Sequence, residues 1–279
     1  MDEASFIRYL AAKKTVDDRA LNARVWDAMI SRVRDLSPRV IELGGGIGTM
    51  IERAAADARL HPRSWTLIDA QQELVEEARR RLVGEVPFEV RLESTDVEAF
   101  LGKNVELFDL VIANAFLDLF DPPRILPVIR KLTRAAGSFL FSITFDGLTA
   151  WEPEIDPGLD ARIVELYHRT MDERIVAGKP SGDSRCGRHL LNLLPRCGYR
   201  IVEAGSSDWI VYPRDGAYPA DERFFLSCLL GFFEESLSGR PELSRGELSG
   251  WLESRRAQLA AGDLVFIAHQ LDVLAEPSG

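Results

Sequence analysis

The stretch Val40-Ile-Glu-Leu-Gly-Gly-Gly-Ile-Gly-Thr-Met50 passes from an apolar run into a crowd of glycines and then into a helical pattern. Glycine has no Cβ and tolerates positive φ, so a strand ending in Gly-x-Gly brings backbone N–H groups and a helix N-terminus close to a ligand. The dinucleotide form of such a turn needs Gly-x-Gly-x-x-Gly. Counted from Gly44 the second glycine is Gly46, but the sixth position is Thr49 and the extra glycine, Gly48, comes one place early. Counted from Gly45 the pattern fails at Ile47. The spacing disfavours a bound pyrophosphate.

Outward from this turn the pattern alternates. Short apolar runs at 40–43, 65–68, 88–92, 107–112 and 138–145 are separated by helix-like stretches such as 71–82 and 124–134. Strand and helix in alternation predict a mainly parallel sheet covered on both faces, a doubly wound α/β domain. Before the first strand, Phe6, Leu10, Leu21, Val25, Trp26, Met29 and Ile30 recur at helical spacing, which predicts two short amphipathic helices. After residue 145 helices are expected at 159–176 and 187–197, then a strand at 199–204 that continues at 209–212. Helical stretches at 221–237 and 244–261 precede a closing strand at 264–274, so they form an insertion suited to a cap or a dimer surface.

Composition narrows the function classes. A net charge of -10 and a pI near 5.1 repel a phosphate backbone, so no nucleic-acid partner is expected. No apolar run is long enough to cross a bilayer, and MDEASF has neither a basic start nor an apolar core, so neither a membrane span nor export is expected. Cys186, Cys197 and Cys228 are odd in number and lack CxxC spacing, which suits reduced thiols in a cytoplasmic protein and no zinc.

Glu42-x-Gly44-x-Gly46-x-Gly48 resembles motif I, E/D-x-G-x-G-x-G, of the class I S-adenosylmethionine-dependent methyltransferases. The resemblance implies that Gly44, Gly45 and Gly46 pass close to the methionine and ribose portions of the cofactor, with Glu42 near its ammonium group. Trp65-Thr-Leu-Ile-Asp69 ends a strand with a carboxylate placed to accept both ribose hydroxyls, followed by Ala70. Ser94-Thr95-Asp96-Val97 looks like the family's adenine-binding acid with its apolar neighbour, and Phe108-Asp-Leu-Val-Ile-Ala-Asn114-Ala115-Phe-Leu-Asp118 resembles motif IV, whose strand ends beside the transferable methyl. Asp69 and Asp96 also suit N-caps of the helices that follow them.

The family implies a seven-stranded, mainly parallel sheet with a final antiparallel strand, for which LVFIAHQLDVL is suitable. Residues 1–36 are then a helical segment over the cofactor site, and 37–279 the methyltransferase domain, with a lid or substrate segment at 146–190 and a helical insertion at 213–262. The Asn-Pro-Pro-Tyr/Phe tetrapeptide of amide- and adenine-methylating members is absent after Asn114. No carboxylate cluster suggests a magnesium site, and no metal is expected.

A sulfonium methyl donor mainly needs an aligned acceptor and exclusion of water, so a catalytic triad is not required, and none is evident. His168 is the candidate base, because its ordinary pKa lies near neutrality. A solvent-facing or core histidine is the alternative. Arg174, Arg185 and Arg188 are candidates to grip a substrate carboxylate, or are helix-end charges. Asp118 and Tyr167 complete the acceptor side, and Trp209 and Tyr212, in SDWIVYPRDGAYP, are placed to box a cation or planar ring or to pack the inserted helices. Arg19 is a candidate contact for the cofactor carboxylate, or an exposed charge; the pairs Phe224-Phe225 and Phe232-Phe233 read as core or dimer contacts. The expected function is transfer of a methyl group to a small molecule by in-line displacement. A methyltransferase-like binding or assembly protein and an NAD-dependent oxidoreductase are the alternatives.

Overall fold

The computed structural model describes residues 1–103 and 106–278. Two helices, α1 (Glu3–Ala20) and α2 (Ala23–Val33), lead into alternating units: β1 (Arg39–Leu43), α3 (Thr49–Ala56), β2 (Ser64–Asp69), α4 (Gln72–Leu82), β3 (Glu89–Ser94), α5 (Val97–Lys103), β4 (Phe108–Asn114), α6 (Pro122–Ile129) and β5 (Thr133–Glu152). Then come α7 (Pro157–Asp172), a small hairpin of β6 (Ile175–Val176) and β7 (Lys179–Pro180), α8 (Cys186–Arg196), β8 (Tyr199–Ser206), β9 (Trp209–Val211), α9 (Glu222–Leu237), α10 (Arg245–Ala261) and β10 (Val265–Pro277).

The sheet runs β3-β2-β1-β4-β5-β10-β8. Its first five strands are parallel, while β10 is antiparallel to both neighbours. Val40, Ile41 and Leu43 of β1 are fully buried, as expected of a strand covered on both faces. Strand order reverses between β1 and β4, so a crevice opens at their carboxyl ends. Among the described residues no helix is long and apolar enough to cross a membrane.

The expected α/β sheet is present along this seven-strand path, with two differences. Residues 209–211 form a separate eighth strand, β9, paired with the start of β10. Strand β5 runs to Glu152, so 146–152 of the expected lid segment is strand. Its overhang is held from outside: Val265 pairs with Glu152 and Ile267 with Ala150. Trp151 is buried edge-on against Phe233 and Trp251, at 5.5 and 6.0 Å between ring centroids. Asp146 and Gly147 interrupt the apolar run, which hid the continuation. The expected 124–134 helix ends at Ile129 and tightens into a 3-10 turn at Arg130–Leu132 before β5 begins.

Two core clusters fill the faces of the sheet, and a third lies under α1, α7, α9 and α10. The inserted helices therefore turn Phe225 and Phe233 inward as core, over the overhang. Helix α10 starts with a Ser244–Glu247 capping box and stops at Gly262, whose φ of 74° is left-handed. From it the fully buried Arg255 donates to the Pro153 carbonyl and to Asp160 Oδ1, both at 2.6 Å, fixing the insertion to the end of β5 and the start of α7.

Candidate active site

The glycine turn after β1 does two jobs. Gly46 (φ 53°) faces open space, for a Cβ there would meet only Leu10 Cδ1 at 3.4 Å. Gly48 (φ 82°) is a packing residue, since its Cβ would lie 2.4 Å from Leu82 Cδ1. Helix α3 can begin here only because that space is empty. Gly48→Ala combines left-handed strain with overpacking and is expected to cost about 2–4 kcal/mol. An unchanged urea midpoint would contradict this assignment.

Two cavities meet at Gly44. One, of about 460 Å³, is lined by Asp69, Ala70, Thr95, Asp96 and Val97, with Phe116 and the β6–β7 hairpin on its other side. The second, of about 330 Å³, is lined by Glu42, Gly45, Gly46, Asn114 and Ala115 and continues past Asp118, Tyr167, Arg174 and Trp209. The successive strand tips thus border one crevice. Asp69 accepts the Gly46 N–H on Oδ2 and the Gln71 N–H on Oδ1, both at 2.9 Å, and each oxygen retains acceptor capacity. Asp96 does cap α5, accepting the Ala99 N–H at 2.7 Å, yet stays exposed at the cavity rim. Asp69 does not cap α4, whose N-cap position is Gln71 with no side-chain cap, whereas in Asp96 the cap and a place at the rim coexist.

Glu42 is buried, and its Oε2 accepts the Trp65 indole N–H at 3.1 Å. Burial pushes its carboxyl up to about 8. Burial favours the neutral acid, so the stability linked to Glu42 is present below its unfolded value of 4.5 and is lost as pH rises through about 8. A cationic ligand group reverses that preference. Binding of S-adenosylhomocysteine, which carries the ammonium, at pH 7 is expected to release up to about one proton, because burial favours the protonated form of Glu42 beforehand. Calorimetry in two buffers of different ionisation enthalpy measures this; identical heats would refute it.

The chamber wall contains a strained residue. Ile143 has φ 52° at a bulge in β5, and its N–H donates to Asp272 Oδ1 at 2.7 Å. Oδ2 of the same carboxylate accepts the Asn22 N–H at 2.8 Å, so one buried acid holds both the bulge and the junction from which α1 crosses the site.

Several expected site residues lie elsewhere. Arg19 is bound through both terminal nitrogens to Glu222, tying α1 to α9, and lines neither cavity. Arg185 is exposed in a separate groove between β5 and α7, and Arg188 is paired with Asp146. Tyr212 is 42% exposed beneath Arg214 and also lies outside both cavities. His168 lines the outer groove, bonded through Nε2 to Thr149 Oγ1 at 2.9 Å, and burial pushes it down to about 4. Among the described residues only Thr149 borders both groove and chamber.

Other chamber residues escaped the sequence reading. Phe6, Tyr9, Leu10, Lys13 and Asp17 enter from α1, Phe232 and Phe233 from α9, and Phe266 and Gln270 from β10. Lys13 Nζ donates to Asp17 Oδ2 at 2.5 Å, and the Trp209 indole N–H reaches Asp17 Oδ1 at 2.9 Å. Their i, i+4 spacing was a usable signal, but it is the same as that of an ordinary surface pair.

Residues 40–137 match a family model described as a methyltransferase domain. No curated protein matches the chain in sequence. Among solved structures, a SAM-dependent methyltransferase from Thiobacillus denitrificans in complex with S-adenosylhomocysteine is similar at 16% identity and a TM-score of 0.51, over 99% of each chain. A putative methyltransferase from Bacillus halodurans is similar at 12% identity and a TM-score of 0.52, over 90% of this chain and 100% of the other. These two likenesses concern the fold, while the family match falls on the segment that carries the glycine turn and the strand-end acids. Residues 40–137 thus carry a methyltransferase domain by family match, and the chain shares along its length the fold of these two methyltransferase structures.

Proposed function

We propose that the chain transfers a methyl group from S-adenosylmethionine, the methyl donor of its class, to a small molecule held in the chamber beneath α1 and α9. The donor supplies an activated methyl on its sulfonium, which an acceptor lone pair takes in line while the C–S electrons stay on sulfur. One observation carries the reading: two cavities joined at Gly44 place Asp69 and Asp96 on one side and Glu42 and Asn114 on the other. The residues fit such a nucleoside. Asp69 retains acceptor capacity for ribose hydroxyls, Asp96 is open at the adenine end, and the buried Glu42 suits an ammonium group.

Where the acceptor carries a proton on its reacting oxygen or nitrogen, Asp118 accepts it. Its Oδ1 is buried without a hydrogen-bond partner among the described residues, Asp118 lines the chamber, and burial pushes its carboxyl up to about 6. His168 faces the outer groove and reaches the chamber only through Thr149. The test is calorimetry with S-adenosylhomocysteine. Saturable one-to-one binding is expected, and no heat at millimolar ligand from the folded protein would reject the proposal.

A further inference from the structure

The chamber that adjoins Asn114 has flat walls. Tyr9 meets Phe232 edge-on at 5.2 Å between centroids, and Tyr167 stacks on Phe233 at 3.8 Å with 11° between planes. Tyr9 also stacks on Phe225 at 5.6 Å, and Phe233 on Trp251 at 5.7 Å, so these walls are braced from behind by core rings. Braced rings lose little freedom when a planar ligand binds between them. A volume near 330 Å³, shared with the amino-acid end of the donor, leaves room for one ring or two fused rings and excludes a long acyl chain.

The polar groups in this space are unspent. Arg174 lies half-buried on the chamber wall, and its guanidinium makes no hydrogen bond or ion pair among the described residues. Of the other arginines of this region, Arg162 pairs with Glu247, Arg169 with Glu173 and Glu242, and Arg188 with Asp146, while Arg185, likewise without a side-chain partner among the described residues, lies in the outer groove and not in the chamber. The charge of Arg174 is felt by Tyr167 and Asp118, whereas Glu42 at the glycine turn responds to Arg53 and Asp69. Arg174 therefore stands on the acceptor side. Gln270, 2% exposed and also on the chamber wall, has an Oε1 without a partner among the described residues.

Resting on the methyltransferase reading, we propose that the acceptor is a small aromatic acid, its ring between Tyr9, Phe232 and Tyr167 and its carboxylate on the Arg174 guanidinium. A planar fork of donors matches a carboxylate, and its site is partly withdrawn from water, where such a pair discriminates best against an uncharged analogue.

The test uses 2-naphthoate and the uncharged 2-naphthamide as probes, titrated calorimetrically into the full chain with and without saturating S-adenosylhomocysteine. Naphthoate is expected to bind one-to-one and at least about tenfold more tightly than naphthamide. Arg174→Gln is expected to remove that preference while leaving naphthamide and S-adenosylhomocysteine affinities unchanged, and Arg174→Lys to restore part of it. Equal binding of the two probes, no naphthoate binding, or an undiminished preference in Arg174→Gln would overturn the proposal. So would a loss of S-adenosylhomocysteine affinity in that variant, which would assign Arg174 to the donor's own carboxylate. Failure of the unaltered chain to bind S-adenosylhomocysteine strikes the parent reading instead, and the titrations without it still report on Arg174.

Discussion

Asp69→Ala is expected to weaken S-adenosylhomocysteine binding by roughly 30- to 1,000-fold, the equivalent of about 2–4 kcal/mol from two hydrogen bonds to a charged acceptor. The carboxylate sits at the end of β2, is tied to the Gly46 and Gln71 amides, and faces the larger cavity. Removing it deletes the acid that the proposed function assigns to the ribose, and it also releases the glycine turn. Gly46→Arg reaches the same end by another route, because a long side chain at φ 53° points into the space the ligand needs. Circular dichroism and a melting curve establish that each variant is folded, and calorimetry gives the affinity. Unaltered affinity in both would place the cofactor somewhere other than the β1–β4 crevice.

Asp118→Asn is expected to lower turnover of a proton-bearing acceptor by about 100- to 10,000-fold, the range usual for loss of a general base. The pH dependence has a definite sign. Burial raises the Asp118 carboxyl from 3.8 to about 6, with Lys13 and Arg174 opposing the rise. Only the ionised form accepts a proton, so activity falls as pH drops through about 6, and Asp118→Asn removes that limb. Stability runs the opposite way: the protonated acid is preferred in the fold, so the linked stabilisation is present below 3.8 and lost as pH rises through about 6. Transfer of label from methyl-labelled S-adenosylmethionine to the acceptor between pH 5 and pH 8 measures the activity limb, and urea midpoints over the same range measure the stability. An acid limb that persists unchanged in Asp118→Asn would remove this residue from the mechanism.

The strand-end residues that border the crevice, the proposed cofactor half of the site, were readable from short segments. Gly44, Gly46, Asp69, Asp96 and Asn114 each lie at a strand end or in the turn after it, so local spacing in a parallel sheet predicts where they converge. Even there the structure refined the reading. Gly48 completes the motif but serves helix packing against Leu82, and Asp96 combines a helix cap with its place on the cavity rim.

The acceptor half follows a different logic. Arg174, Arg185 and Arg188 were equivalent in sequence, three basic residues in one polar segment. Only Arg174 enters the chamber, because the β6–β7 hairpin turns through Ala177 and Gly178, at φ 50° and 74°, and Ser181 fastens its far end to the Leu119 carbonyl at 2.6 Å. Arg19 was drawn away by Glu222, an acid more than two hundred residues distant in the chain.

The sequence alone determined the α/β alternation, the crevice between β1 and β4 and the acids around it, since these depend on periodicity and on residues adjacent to strand ends. Tertiary structure decided the length of β5, the inward turn of Phe232 and Phe233, the exclusion of Arg185 and Tyr212 from the chamber, and the exposure of Arg174 to it. Those outcomes depend on pairings between α1, α7, α9 and β10, whose energies arise only when distant segments compete for the same buried surface and the same counter-charges.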